Sequence, residues 1–129
     1  LSRSSAASDV YKRQDENIPA DKKILANILK PYVTIDTKGV IAYTDRYYKI
    51  EEMKKVLIYL LCKKAMVLKG IKDIEEKAQI KEVVEKAHVS ESTAKNALFT
   101  RLKNIVKEGK IPNHCLSKVK ELLIEKDGQ

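Results

Sequence analysis

The sequence predicts a mainly α domain with one β-hairpin near its N-terminal end and a closing C-terminal helix. Three observations predict it. Apolar residues recur at helical spacing in segments 20–30, 51–69, 80–87, 91–107 and 114–126. A single pair of strand-forming runs, 32–35 and 40–44, brackets the turn sequence Asp36-Thr37-Lys38-Gly39. The chain has 129 residues, 43% hydrophobic and 34% charged, which is the length and balance of one globular domain and not of a disordered chain.

Residues 1–14, LSRSSAASDVYKRQ, stand apart from this domain. They have no apolar period and are rich in Ser and Ala. They look like translated adaptor sequence of the kind attached to reading frames from environmental sequencing, in which case the native chain begins near Asp15. A natural tail is the other reading. The remaining segment, 15–129, reads as one domain in three parts: an N-terminal helix and hairpin (15–50), a helical core (51–107) and a C-terminal helix (108–129).

Each element has a local cause. In 20–30 the apolar positions are Ile24, Leu25, Ile28 and Leu29, and Pro31 stops the helix. The hairpin turn expects Gly39 at a positive φ. Residues 45–50, with Tyr47 and Tyr48, read as a connector. Segment 51–69 contains the run VLIYLLC, only seven residues long and followed by Lys63 and Lys64. A bilayer span needs roughly 20 apolar residues, so this is a buried helix, stopped by Gly70. Segment 71–78 is a charged connection with a short helical turn starting at Asp73. Gly109 ends the 91–107 helix, and Asn113 supplies an N-cap for the last helix.

Charge and cysteine content narrow the function classes. The net charge of +8 favours acidic partners, although a generally Lys-rich composition gives the same sum. Two cysteines, Cys62 and Cys115, make no disulfide scaffold and point to a reducing, cytoplasmic compartment, with Cys62 acting as a small hydrophobe. With His88 and His114 they form no metal-ligand spacing, and no catalytic pair or Gly-rich nucleotide loop is present. The expectation is therefore a non-enzyme, with no cofactor, no metal, no membrane partner and no small-molecule ligand evident.

The informative stretch is IKEVVEKAHVSESTAKNALFTRLKNIV, residues 80–106. Val83, Val84 and Ala87 give the first helix an apolar face. Val89 is a lone apolar residue in the turn. Ser90 caps the next helix through its hydroxyl. Ala94, Leu98, Leu102 and Ile105 then form the buried stripe.

This stretch resembles the helix-turn-helix of bacterial and archaeal regulators, with Val84 as the small residue of the first helix, a turn ending in Val89-Ser90, then Thr93-Ala94 and Leu98. Over about 38–123 the order of elements also looks like small archaeal winged-helix proteins. The resemblance implies a helix-turn-helix, winged-helix-like core of three helices, 51–69, 80–87 and 91–107, the last acting as a recognition helix in duplex DNA. Two departures stand out. His88 occupies the turn position that is usually Gly, and needs a positive φ that His tolerates better than most residues. The wing is reduced to Lys107, Glu108, Gly109, Lys110 and Ile111.

With the stripe inward, Ser92, Thr93, Lys95, Asn96, Phe99, Thr100 and Lys103 face outward, with Arg101 near the edge. Segment 92–107 holds four cations (Lys95, Arg101, Lys103, Lys107) and no acid, whereas 71–91 holds six acids against four lysines. The chemistry divides by residue. Ser92, Thr93 and Lys95 contact phosphates or base edges. Asn96 matches adenine, Thr100 reads bases, Phe99 meets a thymine methyl, and Arg101, Lys103 and Lys107 hold phosphates. The expected function is sequence-specific or semi-specific duplex DNA binding in transcriptional regulation. A homodimer is expected on DNA, with the 20–30 and terminal helices as its surfaces. The competing reading is a protein-interaction or assembly module using Phe99 and the terminal helix; RNA binding is a third.

Overall fold

The structure, a computed structural model, describes residues 22–127. The leader 1–14 and the first two residues of the predicted 20–30 helix lie outside the described residues. The order of elements is α1 (Lys22–Leu29), β1 (Val33–Ile35), β2 (Ile41–Tyr43), α2 (Asp45–Lys49), α3 (Glu52–Leu68), α4 (Ile80–Ala87), α5 (Glu91–Phe99), a 3-10 turn (Asn113–Cys115) and α6 (Leu116–Asp127). The fold is thus mainly helical with one small antiparallel sheet, as the sequence predicts.

The hairpin pairs Val33 with Tyr43, Thr34 with Ala42 and Ile35 with Ile41. Its loop is set by Asp36, whose carboxylate accepts from the Lys38 and Val40 amides at 2.8 and 2.9 Å. The Val40 amide is the main reason this carboxyl sits below its usual range. Gly39 takes φ +90°, as expected.

α3 is the centre of the molecule. From Val56 to Lys64 every residue is buried, so the helix has no solvent face over those turns. α1, α4 and α5 all pack on it. Its end is a Schellman motif: Ile71 N–H reaches Met66 C=O at 3.1 Å and Gly70 N–H reaches Val67 C=O at 3.0 Å, with Gly70 at φ +76°. Two buried lysines on α3 are paired across elements. Lys63 pairs with Glu82 of α4, and Lys64 pairs with Glu76 at 2.7 Å and with Asn113 Oδ1 at 2.5 Å. Cys62 is fully buried as a small hydrophobe, and burial pushes its thiol pKa up.

Several expectations need correction. Residues 45–49 are not a connector but the one-turn helix α2. It was invisible to periodicity because five residues are shorter than the pattern, yet it exists to bury Tyr47 completely. No helical turn starts at Asp73, which ends a short turn with Lys72 at a left-handed φ of +63°. Asn113 opens the 3-10 turn that leads into α6, with Pro112 at the cap position of that turn, and its Oδ1 accepts from Lys64.

The largest correction concerns the predicted 91–107 helix, which ends at Phe99. The Asn96 carbonyl accepts from both Thr100 N–H (3.0 Å) and Arg101 N–H (2.7 Å), and the chain leaves the helix there. A turn follows, closed by Ile105 and Val106 N–H on the Leu102 carbonyl. Packing outweighs helix propensity here. The bend brings the consecutive residues Ile105 and Val106 both into the core, while Leu102, assigned to the buried stripe, stays half-buried. Gly109 consequently does not end a helix. With Glu108 (φ +53°) it makes a two-residue turn between Lys107 and Lys110, whose backbones exchange two hydrogen bonds of 2.7 and 3.1 Å. Two positive φ values in succession define the primed turn that matches strand twist.

The predicted dimer surfaces are also spent inside the chain. Leu25, Ile28 and Leu29 of α1 are buried, as are Leu116, Val119 and Leu123 of α6, and the two helices pack on each other. Among the described residues no helix is long and apolar enough to cross a membrane.

Candidate nucleic-acid interface

The predicted site lies on and beyond α5, and its placement begins with the turn before it. α4 starts with a reciprocal capping box between Gln79 and Glu82. Its other end would leave carbonyls without partners. Two tyrosines supply them: Tyr43 Oη donates to Lys86 C=O at 2.7 Å, and Tyr47 Oη donates to Ala87 C=O at 2.5 Å. The two rings stack at 4.0 Å. Burial raises both phenol pKa values, so the hydroxyls stay donors throughout the accessible pH range. His88 then takes the left-handed conformation at φ +62°, ψ +51°, the geometry expected for the usual Gly position. Val89 is buried between the helices, also as expected.

Ser90 caps α5, its Oγ accepting from Thr93 N–H at 3.2 Å. A residue that sequence reasoning missed completes the cap. Glu52, at the start of α3, accepts from Ser90 N–H (3.1 Å) and from Thr93 Oγ1–H (2.9 Å). The Ser90 amide is the chief cause of its lowered pKa. This carboxylate takes the place at the positive end of α5 that an anion would otherwise occupy. No sequence signal marks it, because its partners lie 38 and 41 residues away.

Ser92, Lys95, Asn96 and Phe99 are exposed and follow the i, i+3, i+4, i+7 spacing of one helix face. Phe99 is 66% exposed, an unusual state for its type. Lys95 pairs with Glu91 at 3.0 Å, an open (i, i+4) pair that contributes little to stability. Thr93 differs from the other eight residues: it is half-buried and its hydroxyl is engaged with Glu52. Thr100, Arg101 and Lys103 are exposed but belong to the turns after α5, and Lys107 belongs to the two-residue turn. The predicted single face is therefore four side chains on a helix followed by cations on irregular backbone. Lys110, opposite Lys107, adds a cation that the sequence reading did not include.

No protein family, curated protein or solved structure matches the chain.

Proposed function

We propose that the chain is a cytoplasmic, non-enzymatic duplex DNA-binding protein of the helix-turn-helix type, with α3, α4 and α5 as its core and a role in transcriptional regulation. The observation that carries this reading is the exposed face of α5. Ser92, Lys95, Asn96 and Phe99 project from a helix held at its start by Ser90 and Glu52, and the following cations run to Lys107 without an intervening acid. A helix of this kind fits the major groove, where an Asn amide pairs with adenine and an apolar group meets a thymine methyl. Thr93 positions the helix through Glu52. Arg101, Lys103 and Lys107 supply the charge.

Substitutions divide these roles. Lys103→Ala or Lys107→Ala weakens binding to all sequences alike and lowers the salt slope by about one unit. Asn96→Ala costs about 1–3 kcal/mol on a preferred site and little on random duplex. The measurement is fluorescence anisotropy on both duplexes across a salt series. Equal losses for Asn96→Ala on both would remove its base-reading role.

Phe99 favours a second reading. At 66% exposure it would suit a protein partner, and Phe99→Ala would then break a protein complex while duplex binding stayed negligible throughout.

A single short reading helix covers few base pairs, so the proposed bound species is a homodimer, paired through a surface other than the buried stripes of α1 and α6. Sedimentation velocity with duplex is expected to show two chains per site. One chain at every concentration, with and without DNA, would contradict this.

A further inference from the structure

We propose that the cleft between the hairpin, α3 and α4 is a binding site for a small aromatic carboxylate. The site is distinct from the α5 face and does not depend on the DNA reading. The cleft has a volume of about 660 Å³, within the usual range for small-molecule sites. It is assembled from segments far apart in sequence, which is why no motif announces it.

Three features specify the ligand. The first is an aromatic wall. Tyr43, Tyr48 and His88 line one side, with Tyr43 edge-on to Tyr48 at 6.2 Å and to His88 at 5.6 Å. Tyr48 is half-exposed at 52%, with Lys55 Nζ 5.9 Å from its ring centroid, so part of its aromatic surface stays open to a planar partner. The second is an apolar lining from Met66 and Ile74, which suits a hydrocarbon body and not a sugar. The third is charge. Glu82, the only acid lining the cleft among the described residues, is already matched by Lys63 and by a hydrogen bond from Tyr59 Oη at 2.5 Å. Lys38 and Lys86 line the same cleft, are exposed and form no ion pair among the described residues. Lys38 shares the field of Asp36, which leaves Lys86 as the principal cation. An uncompensated ammonium beside an aromatic and aliphatic wall selects a compact anion on a flat apolar body.

The test is calorimetric titration of the full chain with naphthoate, alongside naphthalenemethanol as its neutral counterpart. Saturable binding of one naphthoate per chain is expected, with the alcohol weaker by about tenfold. Lys86→Glu is expected to weaken naphthoate by about tenfold or more, because it replaces attraction with repulsion. Lys118→Glu, an exposed change on α6 outside the cleft, makes the same change in net charge and leaves affinity within about twofold. Tyr48→Ala weakens both ligands, since it removes the wall and not the charge. Absence of saturable binding would overturn the site. Equal affinity for the alcohol would overturn the carboxylate, and equal effects of Lys86→Glu and Lys118→Glu would overturn the location.

Discussion

Gly109→Ala is expected to lower stability by about 2–4 kcal/mol, a large share of what a domain of this size possesses. Two effects add. Gly109 sits at φ +77°, and a Cβ there would stand 2.5 Å from the Ala78 carbonyl oxygen and 3.1 Å from its nitrogen. Both neighbours are backbone and cannot swing aside. They are also held in place, because Ala78 N–H donates to Gly109 C=O at 2.8 Å. The new methyl would break the bond that ties the 107–110 turn to the approach of α4. Gly70 provides the control: its φ of +76° is nearly the same, but nothing lies within 4 Å of an added Cβ. Gly70→Ala should cost only the left-handed strain, about 1 kcal/mol. Thermal melts of the two variants separate the terms, with a drop of about 10 °C for Gly109→Ala and about a third of that for Gly70→Ala. Equal shifts would mean that the turn is not seated against Ala78.

Glu82→Ala is the second large effect, expected at about 2–3 kcal/mol. Glu82 joins α4 to α3 by accepting from Lys63 and Tyr59, and its other oxygen closes the capping box on Gln79 N–H at 3.5 Å. Its removal strands Lys63, whose side chain is only 10% exposed. The figure falls short of that for a fully buried pair because the Glu82 side chain keeps 25% exposure. The double change Glu82→Leu with Lys63→Met should recover much of the loss, since it removes the stranded charge along with its partner. The pH dependence has a definite sign. Burial acts to raise the Glu82 pKa, but the hydrogen bonds from Lys63 and Tyr59 outweigh it and hold the group below its ordinary 4.5. A depressed folded-state pKa gives stability that is present above the unfolded value and lost as pH falls through the folded one. Denaturant midpoints should therefore decline below about pH 5, and Glu82→Gln should flatten that decline. An unchanged slope in the variant would show that the pair does not couple to folding.

These residues also show why some of the molecule is legible in its sequence and some is not. Val89, Ser90 and the left-handed His88 are local signals, decided by two or three neighbours, and the start of α5 follows from them. The end of α5 does not. Ala94, Leu98, Leu102 and Ile105 keep helical spacing, and no Gly or Pro intervenes before Gly109. Only the demand to bury Ile105 together with Val106 bends the chain, and that demand is tertiary. The same holds for the buried lysines of α3. Nothing beside Lys63 and Lys64 in sequence signals their burial, because the partners that allow it, Glu82 for Lys63 and Glu76 and Asn113 for Lys64, lie on other segments. Within the candidate interface, the exposed face of α5 was readable from the period. The loss of Thr93 to Glu52 and the shift of Thr100, Arg101, Lys103 and Lys107 onto turns were not.

On the proposed reading, the α5 face and the cations after it hold duplex DNA. The most direct measurement is the dissociation constant of the full chain for mixed-sequence duplex as salt rises from about 50 to 200 mM. Measurable affinity is expected at low salt, with a linear fall of log K with log salt whose slope of several units Lys103→Ala and Lys107→Ala each reduce by about one. No salt-dependent binding at low ionic strength, or a slope that neither substitution changes, would contradict it.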